Sequence, residues 1–198
     1  MDVEREEMGG DQLRRTLRRL AHEIIEDAAD LRALVLVGLR SRGVPLAERL
    51  TAHIQALEEI RPLVGALDVT LYRDDLDRGG SRNKIQKTNL PFTCESREVV
   101  LVDDVLYTGR TVRAALTALV AFGRPRRVRL AVLVDRGGRE LPVRADFIGR
   151  NVTARSGEEV RVLLEEADGR EAVLLQIETA PEHNGKERQP NIDSSTAP

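Results

Sequence analysis

The 198-residue sequence contains no tryptophan, one cysteine and three histidines. The single cysteine, Cys94, cannot form a disulfide within the chain, which suits a reducing cytosol and predicts a cytoplasmic protein. Aromatic residues make up 3% of the chain, so stacking of bases on aromatic side chains is not expected to drive nucleic-acid binding. The histidines, His22, His53 and His183, are not spaced as a metal-binding cluster.

Long apolar runs are also lacking. No run approaches the ~20 residues that a membrane-spanning helix needs, and the first ten residues are acidic and polar, so neither a membrane span nor a signal peptide is predicted. Hydrophobic residues make up 41% of the chain and charged residues 32%, as in a globular protein of one domain.

Two common nucleotide-binding motifs are missing. The sequence has no G-x-G-x-x-G, which leaves a Rossmann dinucleotide site unsupported. The glycine-containing loop described next has one glycine and no lysine, which excludes a P-loop.

The most informative segment is residues 99–111, VVLVDDVLYTGRT. Its first four residues are apolar and mostly β-branched, and they predict a buried strand over residues 99–102. Asp103 and Asp104 follow where that strand is expected to end. A short loop leads from them to a helical pattern that begins at Val112.

This arrangement predicts a binding site for a phosphorylated sugar. The first N–H groups of a helix lack intrahelical partners and bind anions, while Gly109 lets the backbone curl around a phosphate. Ionised carboxylates only accept hydrogen bonds, so Asp103 and Asp104 suit the O2 and O3 hydroxyls of a ribose and positive charge that develops on its ring. Further donors or positive charge come from Thr108, Arg110 and Thr111.

Other loops carry related signals. Gly38–Gly43 contains Ser41 and Arg42 and is able to surround a second anion. Arg73 begins a polar stretch over residues 73–92, which is long enough to be a flexible active-site loop. Asp74 and Asp75 invite a magnesium site, although turn-forming aspartates explain them better.

Strands alternate with helices along the chain, which predicts an α/β fold with a mainly parallel central sheet and helices on both faces. Because ligands bind beyond the carboxyl ends of such strands, the loops 38–43, 103–111 and 135–139 should converge on one crevice. Residues 1–10 are expected to be a flexible leader, 11–178 the domain and 179–198 a disordered tail. A helix is predicted from an N-cap at Asp11 to Ala29, and a strand over residues 64–72.

These segments, together with long matching blocks elsewhere, resemble the type I phosphoribosyltransferases. Within that family the resemblance is to bacterial pyrimidine-operon regulators that double as uracil phosphoribosyltransferases, and it covers about residues 12–178. The matching blocks are residues 20–25, 37–50, 67–76, 99–111 and 130–152. Two departures are Ser41, where the family usually has threonine, and Gly138, where it usually has histidine.

The resemblance implies that uracil and 5-phosphoribosyl-1-pyrophosphate (PRPP) give UMP and pyrophosphate, with a small hood of short strands beside the main sheet. Magnesium would be bound mainly through the pyrophosphate, without a dedicated protein cage. The implied catalytic residues are Arg42, Asp103 and Asp104. The implied PRPP or nucleotide contacts are Ser41, Arg42, Arg73, Asp103, Asp104, Val105, Leu106, Tyr107, Thr108, Gly109, Arg110 and Thr111. Arg136 and Val160 would contact the base or nucleotide.

A second implication is UMP- or UTP-responsive binding to the leader RNA of a pyrimidine operon, by a homodimer or homotetramer. Residues 124–150 hold eight arginines against three acids, a net charge of +5 that suits an anionic partner. The candidate RNA contacts are Arg18, Arg19, His22, Arg144 and Arg150. Two alternatives stay open: a phosphoribosyltransferase for another base without RNA regulation, and a purely regulatory, nucleotide-sensing RNA-binding protein.

Overall fold

The computed structural model describes residues 4–73, 87–155 and 157–177. In chain order the strands and helices are β1 (Glu4–Gly9), α1 (Gly10–Asp27), β2 (Leu34–Leu39), α2 (Gly43–Glu58), β3 (Leu63–Leu67), β4 (Glu98–Leu106), α3 (Arg110–Leu119), β5 (Arg127–Asp135), β6 (Phe147–Asn151), β7 (Glu158–Leu163), α4 (Glu165–Asp168) and β8 (Ala172–Ile177). Within these residues, no helix is long and apolar enough to cross a membrane.

Five strands form a parallel sheet in the order β3-β2-β4-β5-β6. A smaller antiparallel sheet, the hood, has the order β1-β8-β7. The α1 and α2 helices share one apolar core with the hood, whereas α3 packs in a second core on the opposite face of the parallel sheet. The predicted fold class, with helices on both faces and a hood of short strands, is confirmed.

The central strands have apolar side chains on both faces. All six residues of β2 are buried, as expected for a parallel strand covered on both sides. Successive residues of β4 alternate between the two cores: Val100 and Val102 face α1 and α2, whereas Val99 and Leu101 face α3. The two apolar cores therefore hold residues 99–102 of β4 in place from both faces of the sheet.

The amino-terminal residues differ from the prediction. Glu4–Gly9, expected to be a flexible leader, forms β1 and pairs antiparallel with β8. Met8 is buried in the core, so pairing with a strand far along the sequence outweighs the polar composition of this segment. The first helix begins at Gly10, with Gly9 in the capping position, and Asp11 lies in its first turn rather than at the N-cap.

The strand predicted over residues 64–72 is also shorter than expected. It ends at Leu67, because the Asp68 carboxylate accepts hydrogen bonds from the backbone N–H and the hydroxyl of Thr70, at 2.8 and 2.6 Å, and turns the chain into a short 3-10 helix. In the polar stretch 73–92, Asn89 forms an isolated antiparallel bridge with Ala66 of β3. Asp74, Asp75 and the tail 179–198 lie outside the described residues.

We predict that Thr51→Val stabilises the protein. Thr51 lies in α2 and is fully buried, and its hydroxyl has no hydrogen-bond partner among the described residues. Replacing an unsatisfied hydroxyl with a methyl group of the same shape should raise the free energy of unfolding by about 1 kcal/mol. Urea denaturation measures this change.

Thr117→Val is the matched control, because the exposed Thr117 hydroxyl in α3 donates to the Arg113 carbonyl at 3.1 Å. It should show no gain. A loss of stability in Thr51→Val would contradict the prediction.

Candidate functional site

The two aspartates lie inside β4. The strand continues to Leu106 rather than ending at Val102, and the two sides of its final part are paired differently. On the β2 side the pairing stops at Gly38 and Val102, whereas on the β5 side it continues to Leu106 and Asp135. A crevice therefore opens along one edge of β4 at the first aspartate.

The loop between β2 and α2 forms one wall of this crevice. A Cβ atom added to Gly43 would lie 2.2 Å from the Val102 carbonyl oxygen, so only glycine permits this approach of the α2 amino terminus to β4. The Arg40 N–H donates to the Leu67 carbonyl at 3.0 Å, and the Arg40–Ser41 peptide bond is cis. Ser41 is exposed.

The loops 103–111 and 135–139 meet on the other side of the crevice. The backbone N–H of Arg136 donates to the Leu106 carbonyl at 3.1 Å, and the N–H of Glu140 donates to the Thr108 carbonyl at 3.0 Å. The predicted convergence of three loops at the carboxyl ends of β2, β4 and β5 is therefore present in the structure.

Asp103 is buried and Asp104 is half-buried beside it. Burial, followed by the charge of the Asp104 carboxylate, raises the pKa of Asp103 well above its usual value, while a hydrogen bond from the Asp104 N–H and the charge of Arg73 act in the opposite direction. Ionisation of Asp103 is therefore costly until a positive charge or hydroxyl donors offset it. This property suits a site where positive charge develops during a reaction.

The residues 107–109 connect β4 to α3, and we call them the phosphate loop because the sequence predicts that they bind a phosphate. Gly109 has a left-handed φ of 92° and precedes the first residue of α3, Arg110, so this helix begins two residues earlier than predicted. A cavity of about 210 Å³ at this helix end is lined by Arg73, Asp103, Val105, Leu106, Tyr107, Thr108, Gly109, Thr111 and Val112. Arg73 donates to the Thr111 hydroxyl at 3.0 Å.

Arg110 takes a different position from the one its predicted role suggests. Its guanidinium forms an ion pair with Glu140, at 2.8 Å from Nε and 2.5 Å from Nη2. The donors that this cavity offers to a phosphate are therefore the amino terminus of α3, Arg73 and the hydroxyls of Thr108 and Thr111.

A second cavity of about 510 Å³ lies beside Asp104. It brings together predicted residues from four separate segments and hood residues that the sequence did not indicate. Its lining is Arg42, Asp104, Val105, Tyr107, Arg136, Glu159, Val160, Arg161, Val162 and Gln176. Together the two cavities contain every predicted PRPP or base contact except Ser41 and Arg110.

Arg136 and Tyr107 form a cation–π stack at the edge of this cavity. The Arg136 guanidinium carbon lies 3.8 Å from the centre of the Tyr107 ring, and Nη2 donates to the Glu158 carbonyl at 3.1 Å. Gly138 has a φ of 72°, and a Cβ atom there would lie 2.5 Å from Cε2 of Tyr107. The absence of a side chain at Gly138 therefore leaves room for the tyrosine ring.

Arg139 connects the loop 135–139 to the chain that follows β4. It forms an ion pair with Asp135 at 2.5 Å and donates to the Tyr107 carbonyl at 2.8 Å. The hydrogen bond from Arg139 contributes to lowering the pKa of Asp135, against the effect of burial, which is the larger single influence and raises it. This pair fixes the loop and leaves Arg136 to contact the cavity.

A further residue next to this cavity was not predicted from the sequence. Asp168, in α4 of the hood region, forms a two-point ion pair with Arg42, although the residues are 126 positions apart. No local spacing rule links them, because the pairing depends on how the hood docks on α2. The hydrogen bond to Asp168 is the main cause that raises the pKa of Arg42 above its usual value.

The candidate RNA residues lie mainly around α1 and β6. Arg18 and His22 are exposed on α1, whereas Arg19 donates to the Ile148 and Gly149 carbonyls at 3.1 and 2.7 Å. Arg150 lies 3.8 Å from the Glu7 carboxylate. Arg144, the remaining candidate, lines a separate cavity of about 330 Å³ together with Asp27.

The basic segment 124–150 is less positive at the surface than its sequence suggests. Arg126, Arg127 and Arg129 form ion pairs with Glu98, Asp27 or Asp146. Acids from α1 and β4 therefore neutralise much of the charge counted along the sequence. Among the described residues, no three or more His, Cys, Asp or Glu side chains are grouped to hold a metal ion.

The parallel sheet, its hood and the phosphate loop define a phosphoribosyltransferase. A family model described as "Phosphoribosyl transferase domain" matches residues 9–161. Solved structures agree on the fold: a hypoxanthine phosphoribosyltransferase of Trypanosoma cruzi has a TM-score of 0.66 at 15% identity, over 87% of this chain and 95% of the other.

The sequence relatives are more specific. Bifunctional protein PyrR of Chloroflexus aurantiacus is 55% identical over 175 residues, 88% of this chain and 96% of the relative. Bifunctional protein PyrR of Thermus aquaticus is 52% identical over 88% of this chain and 97% of the relative. The chain belongs to the PyrR family of phosphoribosyltransferases.

We predict that Gly138→Ala disturbs the site, whereas Gly137→Ala does so much less. Both glycines have a φ of 72°, so both changes introduce the same left-handed strain, of about 1 kcal/mol. Only at Gly138 does the new Cβ meet Tyr107, since nothing lies within 4 Å of the corresponding position at Gly137. Thermal unfolding and nucleotide binding measure the difference, and equal effects in the two variants would show that the tyrosine contact has no role.

Proposed function

We propose that this protein transfers the phosphoribosyl group of PRPP to uracil and gives UMP and pyrophosphate. The observation that carries the proposal is the position of Asp103 and Asp104 between two cavities, one at the amino terminus of α3 and one that contains Arg42. A ribose between two anionic groups needs acceptors at its hydroxyls and donors at each end. The site offers donors at the amino terminus of α3, then the acceptors Asp103 and Asp104, and then the donor Arg42.

Binding of PRPP follows from these donors. The 5-phosphate would lie against the first N–H groups of α3, with Thr108, Thr111 and Arg73 as further donors. The pyrophosphate would lie against Arg42 and the loop that contains Ser41. Magnesium would be bound mainly through the pyrophosphate oxygens and water, because this ion usually takes few protein ligands at phosphate sites.

Catalysis is then positioning and charge stabilisation. The bond from ribose C1 to the pyrophosphate breaks as the bond to the uracil nitrogen forms, and the sugar acquires positive charge on the way. The proton of that nitrogen passes to the departing pyrophosphate or to water. Asp103 and Asp104 would lie where that charge develops, and the positive charge would offset the cost of ionising Asp103. Arg136 and Val160 line the cavity on the side proposed for uracil.

We further propose regulation through RNA, with the nucleotide site as the sensor. The name of the relatives, Bifunctional protein PyrR, favours a second activity beside the transfer reaction. Exposed Arg18 and His22 on α1, one turn apart, supply donors for RNA phosphates, and Arg144 is a third exposed candidate. Arg19 and Arg150 already contact protein groups, so they are weaker candidates.

A homodimer or homotetramer, a cytoplasmic location and a dependence on magnesium also belong to this proposal. The exposure of Leu71, Tyr72 and Val120 leaves apolar side chains on the surface near α3. Gel filtration with light scattering determines the assembly.

We predict that Asp104→Asn and Thr111→Ala each lower the transfer rate by at least about 100-fold, because each removes a group from the ribose or phosphate position. Radiolabelled uracil, hypoxanthine and guanine, each with PRPP and magnesium, give the rate and the acceptor in one assay. Thr117→Ala, six residues further along α3 and exposed, is the matched control. Normal turnover in both site variants would refute the site, and transfer to a purine alone would refute the acceptor.

The RNA proposal has a separate test. Filter binding with a pyrimidine-operon leader RNA should show tighter binding in the presence of UMP, and Arg18→Gln with His22→Gln should weaken it by about tenfold or more. Arg113→Gln, on the opposite face of the sheet in α3, is the control for a general loss of positive charge. Binding that responds neither to UMP nor to the α1 changes would contradict the proposal.

A further inference from the structure

Arg42 is a predicted pyrophosphate ligand. Its backbone lies at the amino terminus of α2, and its side chain lines the cavity beside Asp104. A guanidinium on a flexible side chain binds an anion well only when its orientation is fixed in advance. The orientation of the Arg42 guanidinium therefore depends on the groups that contact it in the absence of an anion.

Arg42 is held by the carboxylate of Asp168. Its Nη2 lies 2.8 Å from Asp168 Oδ1 and its Nε lies 3.3 Å from Asp168 Oδ2, so one edge of the guanidinium faces one carboxylate. The Nη1 group lies outside this pair. The Arg42 side chain is 28% exposed and that of Asp168 is 15% exposed, so solvent only partly screens the pair.

Asp168 is itself held by the protein core. Its Oδ2 accepts a hydrogen bond from the Leu164 N–H at 2.9 Å, and its own N–H donates to the Leu164 carbonyl at 2.7 Å. Leu164 is fully buried in the core that the hood shares with α1 and α2. The orientation of Arg42 is therefore tied to the core through two consecutive, well-defined contacts.

We propose that Asp168 is a positioning residue that holds Arg42 ready for the pyrophosphate group of the substrate. The inference rests on the proposed function for the identity of that substrate. Asp168 does not touch the substrate. It acts by fixing one edge of the guanidinium, so that Nη1 and the remaining Nη2 proton are presented to the cavity before an anion arrives.

The α4 helix provides a matched control for this role. Glu166 forms a second two-point ion pair, with Arg49 of α2, at 2.8 and 2.6 Å. It connects the same two helices but does not contact Arg42. Glu166→Gln therefore removes an ion pair between α4 and α2, as Asp168→Asn does, although Arg49 keeps its ion pair with Glu171, and it leaves the predicted pyrophosphate ligand untouched.

The test varies PRPP at saturating uracil for the wild type, Asp168→Asn and Glu166→Gln. We expect Asp168→Asn to raise the KM for PRPP about tenfold with little change in kcat, because a charge-assisted contact that orients the ligand is lost. Glu166→Gln should change both constants by less than about twofold, as for a partly exposed ion pair. An unchanged KM in Asp168→Asn overturns the inference. A lowered KM also overturns it, because Asp168 would then compete with pyrophosphate for Arg42.

Two further measurements separate positioning from a structural effect. In an Arg42→Gln background, Asp168→Asn should have no additional effect on KM, whereas independent effects would multiply. The ¹⁵N resonance of the Arg42 Nε group should shift in Asp168→Asn and stay in place in Glu166→Gln. Additive changes, or an unshifted resonance, contradict the proposed link.

Calorimetric binding of magnesium pyrophosphate distinguishes this inference from the proposed function. If the wild type binds pyrophosphate but transfers no phosphoribosyl group to uracil, the proposed function fails, and the ratio of pyrophosphate Kd values between Asp168→Asn and Glu166→Gln still tests Asp168. If the wild type does transfer and these Kd values are equal, only the role of Asp168 fails. Absence of both binding and transfer contradicts both.

Discussion

The asymmetric pairing of β4 is the constraint on which the rest of the site depends. Hydrogen bonds to β2 end at Val102, while those to β5 continue for four more residues. Because of the free edge that results, Asp103 and Asp104 line a crevice although they belong to a strand. The close approach of Gly43 to the Val102 carbonyl ends the β2 side there, because the chain leaves the sheet and enters α2 at that point.

This constraint also accounts for the electrostatics of the aspartate pair. A carboxylate in a loop would be hydrated, but strand pairing with β5 keeps Asp103 buried, and its pKa rises as a consequence. The same sheet places the α3 amino terminus and Arg73 next to it. Asp103 is therefore a buried acid with a half-buried acid, Asp104, beside it. It makes the site respond strongly to a ligand that brings hydroxyl groups or positive charge.

Much of this arrangement was predictable from local sequence, and the exceptions have a common cause. Apolar runs such as residues 99–102, and the order in which strands and helices alternate, specify the parallel sheet, because both depend on neighbouring residues. The β1 strand, the true end of β4 and the ion pair of Asp168 depend on partners far along the chain. Net charge over residues 124–150 misled for the same reason, since Asp27 and Glu98 neutralise arginines that the sequence places nowhere near them.

The hood makes the site a product of the whole fold. It supplies Val160 and other residues to the wall of the larger cavity, and its α4 helix contacts α2 through two arginines, Arg42 and Arg49. One of these arginines lines the cavity and the other does not. A ligand that changes the position of the first would therefore act on α4 directly, and α4 is joined to β8, which pairs with β1 at the start of α1. A continuous set of backbone and ion-pair contacts therefore joins the cavity that contains Arg42 to the start of α1.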